Sequence, residues 1–275
     1  MKKISVIVAT YNQLDYLMLT LESIAKQKYI DFGFIEVLIA DDGSSFLTKN
    51  YLDSLRRKYP FKLLHVWHED FGFRKAMILN KAVLQSCGDY LIFIDGDCVI
   101  PNDFIAQQVK LAEAGFFVAG NRVLLSEDYT SMLVTEKIKL FELSIRQWFL
   151  LFFTKKTNKL FHFLRLSCNA KWRKFREKNW KYPKGCNIAI WKSDYYLVNG
   201  YDESFSGWGH EDADLFIRLI HSGVLIKDGR FSVPVYHLWH KFNSRDNEAD
   251  NMQKLLERVN NSNIVRAVDG INKYE

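Results

Sequence analysis

The chain has 275 residues, 48% of them hydrophobic and 15% aromatic, with only 14 Gly and 4 Pro. That is enough apolar material for a sizeable core, and it excludes disordered and collagen-like chains. The formal net charge is +6, and the cysteines Cys87, Cys98, Cys168 and Cys186 lack the CxxC spacing of a zinc site or disulfide framework, which points to a reducing, cytoplasmic setting.

After Met1-Lys2-Lys3, the run Ile4 to Ala9 is β-branched and apolar. It is too short for a secretory h-region and is read as a first strand. From Tyr16 to Lys28, Leu17, Leu21, Ile24 and Ala25 recur at helical spacing. The alternation continues with a strand over 35–40, a helix over 46–59, a strand over 62–67, a helix over 73–86 and an apolar strand over 90–94. Strands and helices alternating at short intervals predict an α/β doubly wound sheet, mostly parallel and covered by helices. Strands are also expected near 187–191 and 231–236, and an apolar helix from Glu211 to about Ser222. A polar helix is expected over 248–259, followed by a frayed tail. No apolar stretch reaches the roughly 18–20 residues needed to span a bilayer.

Polar clusters follow three of these strands: Thr10-Tyr11-Asn12, Asp41-Asp42-Gly43-Ser44-Ser45 and Asp95-Gly96-Asp97. In such sheets ligands sit beyond the carboxyl ends of the strands. Each cluster alone also fits a helix cap or a turn, but the acids taken together need a shared partner. Asp95 and Asp97 flank one residue at the end of a buried strand, so both carboxylates can face a divalent cation or a ribose hydroxyl. Gly96 suits close approach of the ligand. Arg74 and Lys75, at a helix start, are placed to meet the negative charge of a diphosphate.

A second acidic cluster, Glu211-Asp212-Ala213-Asp214, follows Gly207-Trp208-Gly209-His210 and opens an apolar helix. A helix N-terminus stabilises carboxylates, yet capping requires one acid and three are present. Further on, Pro234-Val-Tyr-His237-Leu-Trp-His240 ends a strand with two histidines. Neutral imidazole suits Mn²⁺ better than Mg²⁺. Period-two alternation leaves His240 available only if the chain turns after His237.

Val6-Ile-Val-Ala-Thr-Tyr-Asn12, Asp41-Asp-Gly-Ser44, Asp95-Gly-Asp97, Gly185-Cys-Asn187 and Gly207-Trp-Gly-His-Glu-Asp212 occur in this order over roughly residues 4 to 240. In this the chain resembles inverting family 2 glycosyltransferases of the GT-A fold, with a Rossmann-like nucleotide-binding half. The 207–212 element is similar to that of galactosyl- and N-acetylgalactosaminyltransferases, including bacterial chondroitin-type polymerases.

The resemblance implies a metal-dependent transfer of a sugar from a nucleoside diphosphate, a UDP-linked hexose or N-acetylhexosamine, to a hydroxyl of a bacterial glycan or glycolipid. Donor-binding residues would be Thr10, Tyr11, Asp41, Asp42, Arg74 and Asp95, and metal ligands Asp97 and His237, with His240 as the alternative histidine. Mn²⁺, or else Mg²⁺, would be the cofactor. Asp212 would be the catalytic base, with Asp214 the alternative. Trp208, Glu211 and Asp214 would bind the acceptor. The implied organisation is a nucleotide-sugar-binding half over 1–125, an acceptor-binding half over 126–242 with a basic aromatic insert over 137–184, and a helical tail over 243–275.

That insert carries fourteen Lys or Arg against Glu142 and Glu177, interleaved with Trp148, Phe149, Phe152, Phe153, Phe161, Phe163, Trp172, Phe175 and Trp180. Cations mixed with aromatics suit an anionic membrane surface, so the enzyme is expected to be cytoplasmic and peripheral on the inner face of the membrane, with no nucleic-acid partner. Core packing of these aromatics under solvated cations is the simpler reading. A sugar nucleotidyltransferase would want a Gly-rich loop with a basic residue near the N-terminus, which Thr10-Tyr11-Asn12 lacks. A non-catalytic carbohydrate- or RNA-binding protein would not need two separate acidic clusters.

Overall fold

The computed structural model describes residues 2–241 and 245–275. Its first part alternates β1 (Ile4–Thr10), α1 (Leu14–Ala25), β2 (Ile35–Asp41), α2 (Phe46–Ser54), β3 (Lys62–Trp67), α3 (Lys75–Gln85) and β4 (Tyr90–Asp95). β1 and β2 are buried almost throughout, which explains their continuous rather than alternating apolar sequence. The helices cover them with narrow apolar faces, such as Leu17, Leu21 and Ile24 of α1.

The later elements are β5 (Cys98–Val99), α4 (Phe104–Leu111), β6 (Phe116–Ala119), β7 (Asn121–Leu124), α5 (Glu127–Glu136), α6 (Ile145–Phe153), β8 (Asn187–Trp191), α7 (Lys192–Leu197), α8 (Glu211–His221), β9 (Leu225–Asp228), β10 (Pro234–His237) and α9 (Glu248–Asn260). The central sheet runs β3-β2-β1-β4-β8-β6-β9, and β5-β10-β7 form a small second sheet. β1 to β4 are mutually parallel, while β8 lies antiparallel between β4 and β6. The sheet is therefore mixed, although mostly parallel.

Register brings the polar clusters together. Thr10 lies opposite Asp41, and Ala9 opposite Asp95, so the ends of β1, β2 and β4 open on one edge. In the second sheet His237 of β10 pairs with Cys98 of β5, beside Asp97. The two expected halves share the central sheet, since β8 and β9 extend it past β4. The expected boundary between the acceptor-binding half and the helical tail, at 242/243, lies outside the described residues.

The basic insert is built differently from a uniformly exposed surface. Trp148 stacks on Tyr236 with ring centroids 4.5 Å apart and joins the core under the small sheet. Arg173 is fully buried and donates to the carbonyls of Leu166, Ser167, Asp228 and Arg230 and to Ser232 Oγ. It is an internal staple and corrects its expected place among the surface cations. Lys156 pairs with Asp128, Arg165 with Asp103 and Lys174 with Glu113. Leu150 and Phe153 of α6 remain 62% and 71% exposed.

The expected frayed tail is also corrected. Ile271 is buried in the core face shared with Tyr195 and Tyr201. Val268 N–H donates to Asp202 Oδ2 at 3.0 Å, and the Asn199 side chain bonds both Ala267 O and the Asn272 N–H. These bonds tie the segment back to the loop around Asn199 and Asp202.

Candidate active site

The first polar cluster begins at β1. Asn12 takes a left-handed conformation (φ 51°), turning the chain out of the strand, and its N–H donates to Ser44 Oγ at 2.8 Å. Thr10 is nearly buried, whereas Tyr11 is exposed and its hydroxyl donates to Asp70 Oδ2 at 2.8 Å. Asp70 is held below the usual carboxylate range by the Gly72 N–H and that hydroxyl. It stands beside Gly43, where an added Cβ would lie 2.6 Å from the Asp70 backbone. Sequence reasoning missed Asp70 because it lies in a loop without strand or helix signal.

Asp41 and Asp42 differ. Asp41 is wholly buried, accepting from the Ser44 N–H at 2.9 Å and facing His65 Nε2 at 3.0 Å. Its carboxylate, closed to solvent, organises the loop. Asp42 contacts His68 Nε2 at 2.8 Å and accepts the Arg74 N–H at 2.8 Å, with further lone pairs available to a ligand. The Arg74 guanidinium lies over the Phe71 ring and donates to Glu69 O. It thus lines the rim loop, and it is the adjacent Lys75 that reaches the acids.

The next cluster assembles at β4. Gly96 packs so closely that a Cβ would meet Ala9 O at 3.0 Å and Thr10 at 3.1 Å. Beyond it, Asp97 Oδ2 lies 3.1 Å from His240 Nε2, and Oδ1 lies 3.7 Å from His237 Nε2. Among the described residues, Asp97, His237 and His240 form a group whose candidate ligand atoms all fall within 4.8 Å of one another. Both histidines belong to it because β10 ends at His237 and the chain then turns, bringing the rings to 5.2 Å.

The Nδ1 atoms of His237 and His240 face the carbonyls of Leu238 and Lys241 at 2.9 and 2.7 Å. That pairing puts a proton on Nδ1 and aims each Nε2 at Asp97, where a bound cation would take the place of the Nε2 proton, the usual outer-shell arrangement of metal-binding imidazoles. Two imidazole nitrogens and a carboxylate make a mixed N/O donor set that fits Mn²⁺. Burial opposes ionisation of Asp97, but the hydrogen bond from His240 and the charge of His237 hold it low, and the same bond lifts His240 to about 9.

The second acidic cluster is positioned by the turn before α8. Gly207, Gly209 and His210 all have positive φ, at 73°, 112° and 72°, so the glycines release the chain into a tight loop. Asp212, the second residue of α8, accepts from Tyr201 Oη at 3.0 Å. Its Oδ2 lies 4.0 Å from Lys75 Nζ, which is 2.9 Å from Asp95 Oδ1. One ammonium thus joins the end of β4 to the start of α8. A Cβ on Gly185 would fall 1.8 Å from Asp212 Oδ2, so only glycine leaves that carboxylate its place.

Glu211 is buried, and desolvation together with the Asp212 charge pushes it up to about 7. Trp208 is partly exposed, with the Arg245 guanidinium 4.8 Å from its ring. Asp214 is different again: fully buried, it accepts from Arg218 Nε at 2.8 Å and from Arg258 Nε at 3.2 Å. Its expected roles as acceptor ligand or alternative base are corrected, because both its oxygens are taken up by internal cations. Two residues along an α-helix turn the side chain through about 200°, so the step from Asp212 to Asp214 carries it from the cleft face to the core face of α8.

A mixed α/β sheet whose strand ends gather one acidic cluster, facing a second acidic cluster on a later helix, defines a GT-A glycosyltransferase. The family model described as glycosyl transferase family 2 matches residues 5–182, and that of the N-terminal domain of galactosyltransferase matches 164–241. The chain belongs to glycosyl transferase family 2, which sets aside the nucleotidyltransferase and the non-catalytic binding protein.

Validoxylamine A glucosyltransferase of Streptomyces hygroscopicus subsp. jinggangensis is 29% identical over 240 residues, covering 80% of this chain and 52% of that protein. Chondroitin synthase of Escherichia coli is 25% identical over 244 residues, 80% of this chain and 32% of the synthase. The chain thus spans about half, or less, of the length of these relatives. Among solved structures, S. aureus TarS 1–349 in complex with UDP-GlcNAc superposes with a TM-score of 0.63 at 17% identity, over 94% of this chain and 67% of that one. Mannosyltransferase PcManGT from Pyrobaculum calidifontis, in complex with GDP-Man and Mn²⁺, gives 0.62 at 17% identity, over 96% and 68%. At this identity the likeness is one of fold. Among the described residues, no helix is long and apolar enough to cross a membrane.

Proposed function

We propose that this glycosyltransferase moves a hexose or N-acetylhexosamine from a UDP carrier to a hydroxyl of a bacterial glycan or glycolipid, with inversion at the anomeric carbon and with Mn²⁺ bound. The observation that carries the reading is the bridge Asp95–Lys75–Asp212, which sets a donor-side acid and a candidate base on one cleft. Thr10, Tyr11, Asp42 and Asp95 bind the nucleoside, and Arg74 lines the rim beside it. Asp97, His237 and His240 would hold the cation, which would supply positive charge to the leaving diphosphate.

Asp212 takes the acceptor proton as the acceptor oxygen bonds to the anomeric carbon. The bond from that carbon to the β-phosphate oxygen breaks on the opposite face, and its electron pair leaves with UDP. Tyr201 orients the Asp212 carboxylate by donating to Oδ1. Glu211 and Trp208 bind the acceptor, the indole offering a face to a sugar ring. The same reading divides the chain into a nucleotide-sugar-binding half and an acceptor-binding half.

The acceptor is met at an anionic membrane surface through part of the 137–184 segment. What supports this is the outer face of α6, where exposed Ile145, Leu150 and Phe153 adjoin exposed Arg146, Lys155 and Lys159, a combination suited to headgroups over an apolar boundary. The core reading of the insert holds for Trp148 but not for these side chains.

Incubating the purified chain with Mn²⁺ and UDP-glucose, UDP-galactose, UDP-GlcNAc or UDP-GalNAc tests the reaction. Slow UDP release from one donor is expected, lost in Asp97→Ala and in Asp212→Asn, while Asp212→Asn still binds UDP. Ordinary turnover by Asp212→Asn would remove the base, and release from no donor would remove the donor class.

A further inference from the structure

We infer that Lys75 is a positioning residue of the transfer reaction, whose ammonium holds the Asp212 carboxylate in line with the donor strand. The inference rests on the reading of Asp212 as the base and goes beyond it, because the sequence places this lysine only opposite a diphosphate and not beside the base.

The start of α3 is set by the backbone. The Arg74 N–H, just before the helix, is bonded to Asp42 Oδ2, so the first helical residue, Lys75, leaves from a fixed point. Its side chain is largely buried, and burial of an ammonium is costly unless it is paired. Two carboxylates on different elements supply the partners: Asp95 on β4 at 2.9 Å and Asp212 on α8 at 4.0 Å. Their charges outweigh the desolvation and keep Lys75 protonated.

A staple that served only the fold would be complete with Asp95. The longer contact to Asp212 matters because of what surrounds that carboxylate. Tyr201 Oη fixes Oδ1, Gly185 leaves room at Oδ2, and Glu211 and Asp95 stand near as further acids. The charged and titratable groups facing Asp212 are therefore Lys75 from α3, Asp95 from β4, Tyr201 from the loop before α8 and Glu211 from α8 itself. Of these four, Lys75 alone is cationic. Without it, Asp212 would face two acids and lose the contact that draws Oδ2 toward β4.

The test uses the full chain with Mn²⁺ and the UDP-sugar that it hydrolyses, comparing Lys75→Met, which keeps the length, with Lys75→Arg, which keeps the charge. The expected result for Lys75→Met is a kcat lower by about 100-fold, the order that a displacement of 1 Å costs. UDP affinity by calorimetry should change by less than about 3-fold, consistent with an effect on the transition state rather than on binding. Lys75→Arg should recover most of the loss.

Wild-type kcat in Lys75→Met would overturn the inference. So would a loss confined to UDP affinity, which makes Lys75 a donor ligand, or equal losses in Met and Arg, which make it a fold staple. If Lys75→Met melts below the assay temperature, Lys75→Gln is held to the same criteria. An inactive Asp212→Asn beside a normal Lys75→Met removes the lysine alone, whereas a normal Asp212→Asn removes the base and this inference with it.

Discussion

Gly185→Ala isolates the placement of Asp212 from its chemistry. An alanine Cβ at this position would lie 1.8 Å from Asp212 Oδ2, 2.0 Å from Cγ and 2.2 Å from Oδ1. Ordinary contact begins near 3.4 Å, so the carboxylate must retreat by about 1.5 Å, the difference between clash and contact. It cannot do so while keeping its bond to Tyr201 at 3.0 Å and its approach to Lys75 at 4.0 Å. A misplacement of about 1 Å is worth roughly 100-fold in rate, and kcat for donor turnover should fall by at least that much. Tyr11 and Asp42, proposed above to bind the nucleoside, are untouched, so calorimetric UDP affinity should stay within about 3-fold and circular dichroism should be unchanged. A Gly185→Ala enzyme turning over within about 3-fold of the wild type would refute the reasoning, because the base would then not need its observed position.

Three further outcomes follow from other parts of the molecule. Asp214→Asn leaves the fully buried Arg218 without its ion partner, and urea unfolding should show a loss of about 3–5 kcal/mol; a loss under about 1 kcal/mol would mean the pair is dispensable. Glu211, raised to about 7 by burial and the Asp212 charge, favours folding fully when protonated below its unfolded value near 4.5 and loses that contribution as pH rises through 7. The fall across this window should be up to about 3 kcal/mol in the wild type. Glu211→Gln should lack that share of the fall, and parallel stability–pH curves for the two proteins would contradict it. Replacing exposed Leu150 and Phe153 by Ser should abolish cosedimentation with phosphatidylserine vesicles while leaving donor hydrolysis intact, and unchanged sedimentation would remove the membrane surface.

Much of the first part of the chain was legible in the sequence because its signals are local. β1 to β4 are runs of apolar, β-branched residues long enough to be recognised, and their polar ends stand out as Thr10-Tyr11-Asn12, Asp41-Asp42 and Asp95-Gly96-Asp97. The strands β5, β6, β7 and β9, of two to four residues each, carry too little pattern to be seen, since they exist only by pairing with distant partners. The insert was legible in composition but not in arrangement: Arg173 and Trp148 belong to the interior, and the tail after α9 packs through Ile271.

By itself the sequence determined the alternation of strands and helices, the mostly parallel sheet and the two acidic clusters, because periodicity and turn chemistry act over a few residues. Only the tertiary structure decided which members of those clusters face the cleft. Asp41 and Asp214 resemble their neighbours in sequence, yet both are enclosed by internal partners. Lys75 and His240 reach the acids through contacts made across the chain, to Asp212 and to Asp97. A carboxylate's role depends on its solvation and its nearest charges, and those are set by residues far away in the chain that only folding brings within a few ångströms.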